Sequence, residues 1–201
     1  MNAAKATTLE QAIAKLPRVQ LASIRPTPLE PMRRLTIHLK SPALHIKRDD
    51  LTGLAFGGNK TRMFEFALAD ALATGADTIV AGAAVQSNYC RQLAAACAKL
   101  NLDLHLILRP VREIDRNESQ GNNLLQHLLG AQITVLKEGK HLIQTNALQT
   151  KVDELTAQGR KVYWPRRETT VDLDAIAYAE VGLEIARQCE QQNIAPKYHY
   201  V

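Results

Sequence analysis

The chain has 201 residues, 46% hydrophobic and 22% charged, with 25 Lys and Arg against 20 Asp and Glu, a formal charge of +5. That is the composition of a soluble globular protein with apolar content for one large domain or two small ones. No apolar run approaches the roughly 20 residues of a membrane span, the N-terminal MNAAKATTLEQAIAKLPR lacks the apolar stretch of a secretory signal, and scattered charges with only 4% aromatics argue against nucleic-acid binding.

In chain order, Leu9, Ile13 and Leu16 share one face of a short amphipathic helix. Leu44 to Arg48 is a short strand candidate, offered as a partner for the strand that begins at Lys197, though two strands alone make a poor sheet. Asn59 is placed to cap a helix from Lys60 to Thr74, ended by Gly75. Thr78 to Ala84 reads as a buried strand, and Ser87 caps the next helix, through Leu100. Leu102 to Leu108 alternates as a strand and stops near Pro110, before a polar loop over 110–120. Gly121 to Gly130 then predicts a helix, Gln132 to Leu136 a strand, His141 to Gln158 a helix and Lys161 to Trp164 a strand. A helix from Leu173 to Gln191 leads into a further strand beginning at Lys197 and running to Val201. This βαβ series predicts an α/β fold with a parallel twisted sheet flanked by helices. Arg160, Lys161, Arg166 and Arg167 form the densest basic group and read as a solvated loop rim. Cys90, Cys97 and Cys189 are odd in number and show no metal-ligand spacing, so free thiols, no metal and a cytoplasmic location are expected.

Gly57-Gly58-Asn59-Lys60 lies where a loop enters a helix. Paired glycines let backbone approach a ligand closely. A lysine in the first helical turn sits at the positive end of the dipole, which disfavours its charged form and favours attack on an aldehyde to give a Schiff base. A surface lysine after a glycine turn has the same local sequence, and the Walker and GxGxxG phosphate patterns are absent. Gln86-Ser87-Asn88 follows the first strand of the series, at the carboxyl end of the sheet where ligands of such folds bind. Ser87 and Asn88 there can cap a helix, bind a ligand, or do both with different atoms.

Three segments stand in order at family-like spacing: DDLTGLAFGGNKTR (Asp49 to Arg62), VQSNYCRQLAAACAKL (Val85 to Leu100) and GNNLLQHLLGA (Gly121 to Ala131). With Pro26-Thr27-Pro28-Leu29 they resemble the D-cysteine desulfhydrase and 1-aminocyclopropane-1-carboxylate deaminase family. Those are fold-type II, tryptophan-synthase-β-like enzymes that use pyridoxal phosphate. The resemblance runs from about residue 18 to the end. It implies a Schiff base between Lys60 and the cofactor, with Lys60 also moving the substrate α-proton. Asn88 would bind the pyridine 3-hydroxyl and also the substrate, and Ser87 would contact the substrate carboxylate or assist proton transfer. Gln86 would support the substrate side and Asn59 the cofactor side. The implied reaction is elimination from a small amino acid to a keto acid, ammonia and, from cysteine, sulfide, and the family's homodimer is the implied assembly.

The resemblance further implies a division into 1–59 as part of a large domain, 60–170 as a small α/β domain, and 171–201 as the start of the rest of the large domain. Met63 stands where family members often have a phosphate-neutralising lysine, Tyr89 where Gln or His is usual, and Pro165 to Thr170 where a Gly-Gly-Ser-type turn is usual. The family's Gly-rich phosphate loop would follow Val201. The expectation is therefore a shortened member with weak cofactor retention and little turnover, or a non-catalytic remnant or assembly module.

Overall fold

The structure, a computed structural model, describes residues 3–116, 119–165 and 167–200. In chain order the elements are α1 (Ala3–Ile13), β1 (Leu29–Pro31), α2 (Arg33–His38), β2 (His45–Lys47), α3 (Lys60–Ala73), β3 (Thr78–Ala84) and α4 (Asn88–Leu100). They continue with β4 (Asp103–Arg109), α5 (Gly121–Leu128), β5 (Gln132–Val135), α6 (His141–Ala157), β6 (Val162–Tyr163) and α7 (Arg167–Gln191). Strands β5, β4, β3 and β6 lie side by side in that order, all parallel. The predicted α/β sheet is therefore present.

Strand periodicity explains how both faces are covered. Ile79 and Ala81 of β3, with Leu104, Leu106 and Leu108 of β4, turn toward Phe64 and Leu68 of α3 and Leu93, Ala94 and Cys97 of α4. The intervening Val80 and Ile107 point to the opposite face, against Leu148 and Leu155 of α6. A period of two side chains thus yields two apolar layers from one run, as expected where helices cover both sides of a parallel sheet. The alanines of α4 allow its backbone to approach the sheet closely.

Helix α3 is buried nearly all round, from Thr61 to Ala69 and again at Ala71. Its Phe64 and Leu68 face the sheet, while Met63 and Phe66 meet Ile13 of α1 and Ala177 and Leu183 of α7. Charged groups fix the same junction. Glu65 accepts from the Leu21 and Ala22 amides at 3.0 and 2.8 Å and pairs with Arg25 at 2.7 Å. Arg18 and Arg25 both also bind Glu180 of α7. One turn further along α7, Glu184 binds Arg62 and Lys47. The N-terminal segment, α3 and α7 are thereby clamped together.

Three expectations change. Asn59 makes no side-chain cap for α3. Gln92 of α4 takes that role from outside the helix, accepting from the Thr61 amide at 3.0 Å and the Thr61 hydroxyl at 2.9 Å. Leu44 to Arg48 does not pair with the C-terminal segment; β2 pairs antiparallel with β1. Lys197 to Tyr200 forms no strand and pairs with none among the described residues, and Tyr198 and Tyr200 are exposed; Val201 lies outside the described residues. Elsewhere Ser87 caps α4 as read, accepting from the Cys90 amide at 3.3 Å, and Gly75 follows α3 with φ +74°. Helix α7 begins at Arg167, earlier than its periodicity indicated. Within the basic group, Arg160 is tied to Asp77 at 3.0 Å and to Asp103; Arg166 lies outside the described residues. No helix is long and apolar enough to cross a membrane among the described residues. Cys90, Cys97 and Cys189 are free and buried, and burial pushes the Cys90 thiol up to about 12.

Candidate active site

The glycine loop is shaped by close backbone packing. Gly57 has φ +71°, and a Cβ there would sit 1.8 Å from the Asp50 carbonyl oxygen. Gly58 has φ +134°, and its Cβ would fall 2.5 Å from Gln92 Nε2. Thr52 pins the turn, its hydroxyl accepting from the Gly58 amide at 2.9 Å and donating to the Gly58 carbonyl at 3.0 Å. A Gly57→Ala chain is therefore expected to lose about 2 kcal/mol or more of stability, from the left-handed backbone and the backbone clash together. Urea denaturation measures it, and an unchanged midpoint would show that the loop is not held this way.

That loop delivers Lys60 as the first residue of α3. Its ammonium donates to the Tyr178 hydroxyl at 3.2 Å and approaches Asn59 Oδ1 at 3.4 Å. Asn59 Nδ2 donates to the same hydroxyl at 2.9 Å. Tyr178 comes from α7, and its hydroxyl in turn reaches Met63 Sδ at 3.5 Å. Lys60 opens onto a cavity of about 420 Å³ that also takes in Ser87, Tyr89, Met63, Asp174 and Tyr178. The remaining wall is mostly apolar, with β3 backbone at Ala81 to Ala83, Leu148 of α6 and Trp164. Tyr89 packs edge-on against Phe64, ring centroids 4.9 Å apart, and burial raises its phenol pKa.

Of the residues singled out in the sequence, Lys60 and Ser87 line this cavity, while Asn59, Gln86 and Asn88 stand beside it. Asn59 is exposed and reaches the site through Tyr178. Asn88 is exposed at the start of α4, its Oδ1 accepting from Arg91 at 2.9 Å and from Asn122 Nδ2 at 3.0 Å. Gln86 accepts from the Asn122 amide at 3.0 Å and donates to the Gln120 carbonyl at 3.1 Å. The segments around Lys60, Asn88 and Asn122 thus converge at the carboxyl end of β3. Sequence reading missed Arg91, Gln92, Asn122, Asp174 and Tyr178 as parts of this arrangement. Asp174 and Tyr178 are spaced to share one face of a helix, but nothing local indicates what that face meets.

Residues 21–201 match the family model described as pyridoxal-phosphate dependent enzyme. The chain belongs to that family. It is 41% identical over 189 residues to the D-cysteine desulfhydrase of Serratia proteamaculans (strain 568), covering 93% of this chain and 56% of the relative. A solved structure of an ACC deaminase homologue superposes with a TM-score of 0.80 at 34% identity, over 94% of this chain and 55% of that one. The apo diaminopropionate ammonia lyase of Escherichia coli gives a TM-score of 0.67 at 17% identity, over 96% of this chain and 53% of that one, and shares the fold. The chain spans about half the length of the curated relatives it matches.

The family's cofactor is pyridoxal phosphate, and the donor set around Lys60 fits its aldehyde and ring. A primary amine stands at the cavity mouth, the Ser87 hydroxyl and the N-terminus of α4 line the same wall, and aromatic and apolar side chains supply a surface for a planar ring. For the phosphate the fit is poorer. Among the described lining residues Lys60 is the only Lys or Arg, and Met63 offers a thioether where a cation would help.

Proposed function

We propose that this chain is the lysine-bearing part of a D-cysteine desulfhydrase-like enzyme, a pyridoxal-phosphate-dependent lyase acting on a small amino acid. The observation that carries this reading is Lys60 at the cavity mouth, held by the Tyr178 hydroxyl and facing the Ser87 turn. When bound, pyridoxal phosphate supplies the electron sink that makes an α-proton removable. Lys60 would supply the amine that holds the cofactor aldehyde and the base that moves that proton. Ser87, at the N-terminus of α4, presents a hydroxyl and free amides to the substrate carboxylate, with Gln86 fixing the turn behind it. Asn88 would donate to the ring 3-oxygen, and Asn59 holds Tyr178 beside Lys60. The phenol of Tyr178 accepts from the ammonium, so the proton on Nζ has a defined direction.

The division into 60–170 as the small α/β unit, with 1–59 and 171–201 belonging to a larger one, is supported by the four parallel strands all lying in the first and by the Arg18, Arg25 and Lys47 pairs to α7. The free, buried cysteines support a reducing, cytoplasmic setting. A second reading is a non-catalytic member of the family with weak cofactor binding. It is favoured by Met63 and the single lysine among the described lining residues.

One experiment separates the two readings. Purified protein is titrated with pyridoxal phosphate, reduced with borohydride, mapped by mass spectrometry, and assayed for sulfide and ammonia from D-cysteine and other small amino acids. Labelling at Lys60 only at high cofactor concentration, with slow but measurable product release, is the expected result. Labelling alone selects the second reading, and no labelling at saturating cofactor removes cofactor binding from both.

A further inference from the structure

Arg91, on the first turn of α4, touches all three segments that build the site. Its Nη2 donates to the Gly57 carbonyl at 3.0 Å, and its Nη1 donates to Asn88 Oδ1 at 2.9 Å and to Asn122 Oδ1 at 3.0 Å. A guanidinium carries only donors, so every atom it meets at such a distance must be an acceptor. The sense of two amides follows. Asn122 has Oδ1 on Arg91, so its Nδ2 is the atom that reaches the Gln86 carbonyl at 2.8 Å and Asn88 Oδ1 at 3.0 Å. Asn88 then has two donors on Oδ1, which leaves Nδ2 as the atom it can offer outward.

Arg91 also holds the loop itself. The Gly57 carbonyl lies three residues before Lys60, in a turn that cannot tolerate a side chain. Burial lowers the Arg91 pKa, yet arginine keeps its charge, so the three contacts are charge-assisted and individually strong.

We propose that Arg91 is a positioning residue with two effects. It clamps the lysine loop through Gly57, and it sets the Asn88 amide so that a donor, and not an acceptor, faces the 3-oxygen of the cofactor ring. The second effect rests on the reading of Asn88 given under Proposed function. A donor at that place stabilises the oxygen as an anion; an acceptor would require its proton. Lysine at position 91 keeps a charge but has no planar fork to span the three acceptors.

The test compares the full chain with Arg91→Lys and Arg91→Met in two measurements. In the first, pyridoxal phosphate is titrated in, and its affinity is recorded with the ratio of long- to short-wavelength absorption across pH. The expected result is about tenfold or weaker binding for Arg91→Met, with the ratio shifted toward the short-wavelength form of a neutral ring oxygen, and an intermediate effect for Arg91→Lys. Wild-type affinity and ratio in both variants overturn the proposal. In the second, hydrogen exchange of the peptide over Gly57 to Lys60 is followed without cofactor. Faster exchange in folded Arg91→Lys than in wild type supports the clamp, and equal exchange overturns it. If the wild type itself binds no cofactor, the reading under Proposed function falls, and the exchange measurement still decides the clamp. Should Arg91→Met fail to fold, Arg91→Lys carries both measurements.

Discussion

Replacing Lys60 with alanine should reduce borohydride-fixed pyridoxal phosphate to the background level of the other lysines, while leaving the fold intact. The reason for the first part is chemical. Only a primary amine within reach of the cavity can hold the aldehyde, and Lys60 is the lysine among the described lining residues. The reason for the second is that the hydrogen bonds of Lys60, to Asn59 and the Tyr178 hydroxyl, are solvent-exposed. Contacts of that kind contribute less than about 1 kcal/mol. Lys60→Arg sharpens the test, since it keeps the positive charge beside Tyr178 and removes the nucleophile. Loss of label in both variants with little change in Tm is the expected pattern. Label persisting at wild-type stoichiometry on a different lysine would move the site elsewhere.

The second large effect concerns stability. Arg62 is fully buried, yet it is a cation. Its guanidinium is bidentate to Asp49, at 2.9 and 2.9 Å, and bidentate to Glu184, at 2.8 and 2.9 Å. Burial disfavours its charge, but the hydrogen bonds it donates to Glu184 and Asp49 outweigh that and raise its pKa overall. Arg62→Met removes the cation and leaves both carboxylates facing a methyl group. Breaking a buried pair by removing one partner costs about 3–5 kcal/mol, and Lys47, 2.7 Å from Glu184, offsets only part of it. For a chain of this size that is a fall in Tm of about 10 °C. A midpoint within error of wild type would show that α7 is not held through Arg62.

The same pair makes the fold sensitive to acid. Burial tends to raise the Glu184 pKa, but hydrogen bonds from Arg62 and Lys47 lower it below the usual 4.5. The unfolded chain therefore takes up this proton at a higher pH than the folded one. The stabilisation is present above 4.5 and is lost as pH falls through the depressed folded value. Urea midpoints measured from about pH 6 down to about pH 3 should fall more steeply for wild type than for Arg62→Met, which has already lost the principal cause of the shift.

Much of the fold was legible because its signals are local. Thr78 to Ala84 appears in the structure with the bounds read from its apolar run, and Ser87 caps α4 through an atom three residues away. Helix α3 starts at Lys60 as read, but the reason differs. Asn59 resembles a cap in sequence, whereas its backbone is helical and its side chain is engaged by Tyr178, so the Thr61 amide takes its side-chain acceptor from Gln92 instead. Strand pairing failed for a related reason. Both Leu44 to Arg48 and Lys197 to Val201 have strand-like composition, but composition does not name a partner, and β1 supplies the edge for only the first.

The candidate site divides in the same way. Lys60 and Ser87 were visible because a glycine turn before a lysine, and a hydroxyl after a strand, are patterns within a few residues, and the three resemblance segments made them specific. Tyr178 and Arg91 were not visible, because their meaning lies in contacts across 118 residues to Lys60 and across 34 residues to Gly57. The acidic and polar positions Glu180, Glu184 and Gln188 do repeat along one face of α7, a spacing the sequence displays openly. Their partners Arg18, Arg25, Arg62 and Lys47 come from three separate stretches of chain. By itself, then, the sequence determined the parallel α/β class, the candidate lysine and the family, since each depends on periodicity or on short motifs in register. Only the tertiary structure decided which groups hold that lysine, which way the amides beside it face and how α7 is anchored, because hydrogen bonds and buried ion pairs are set by distance in space.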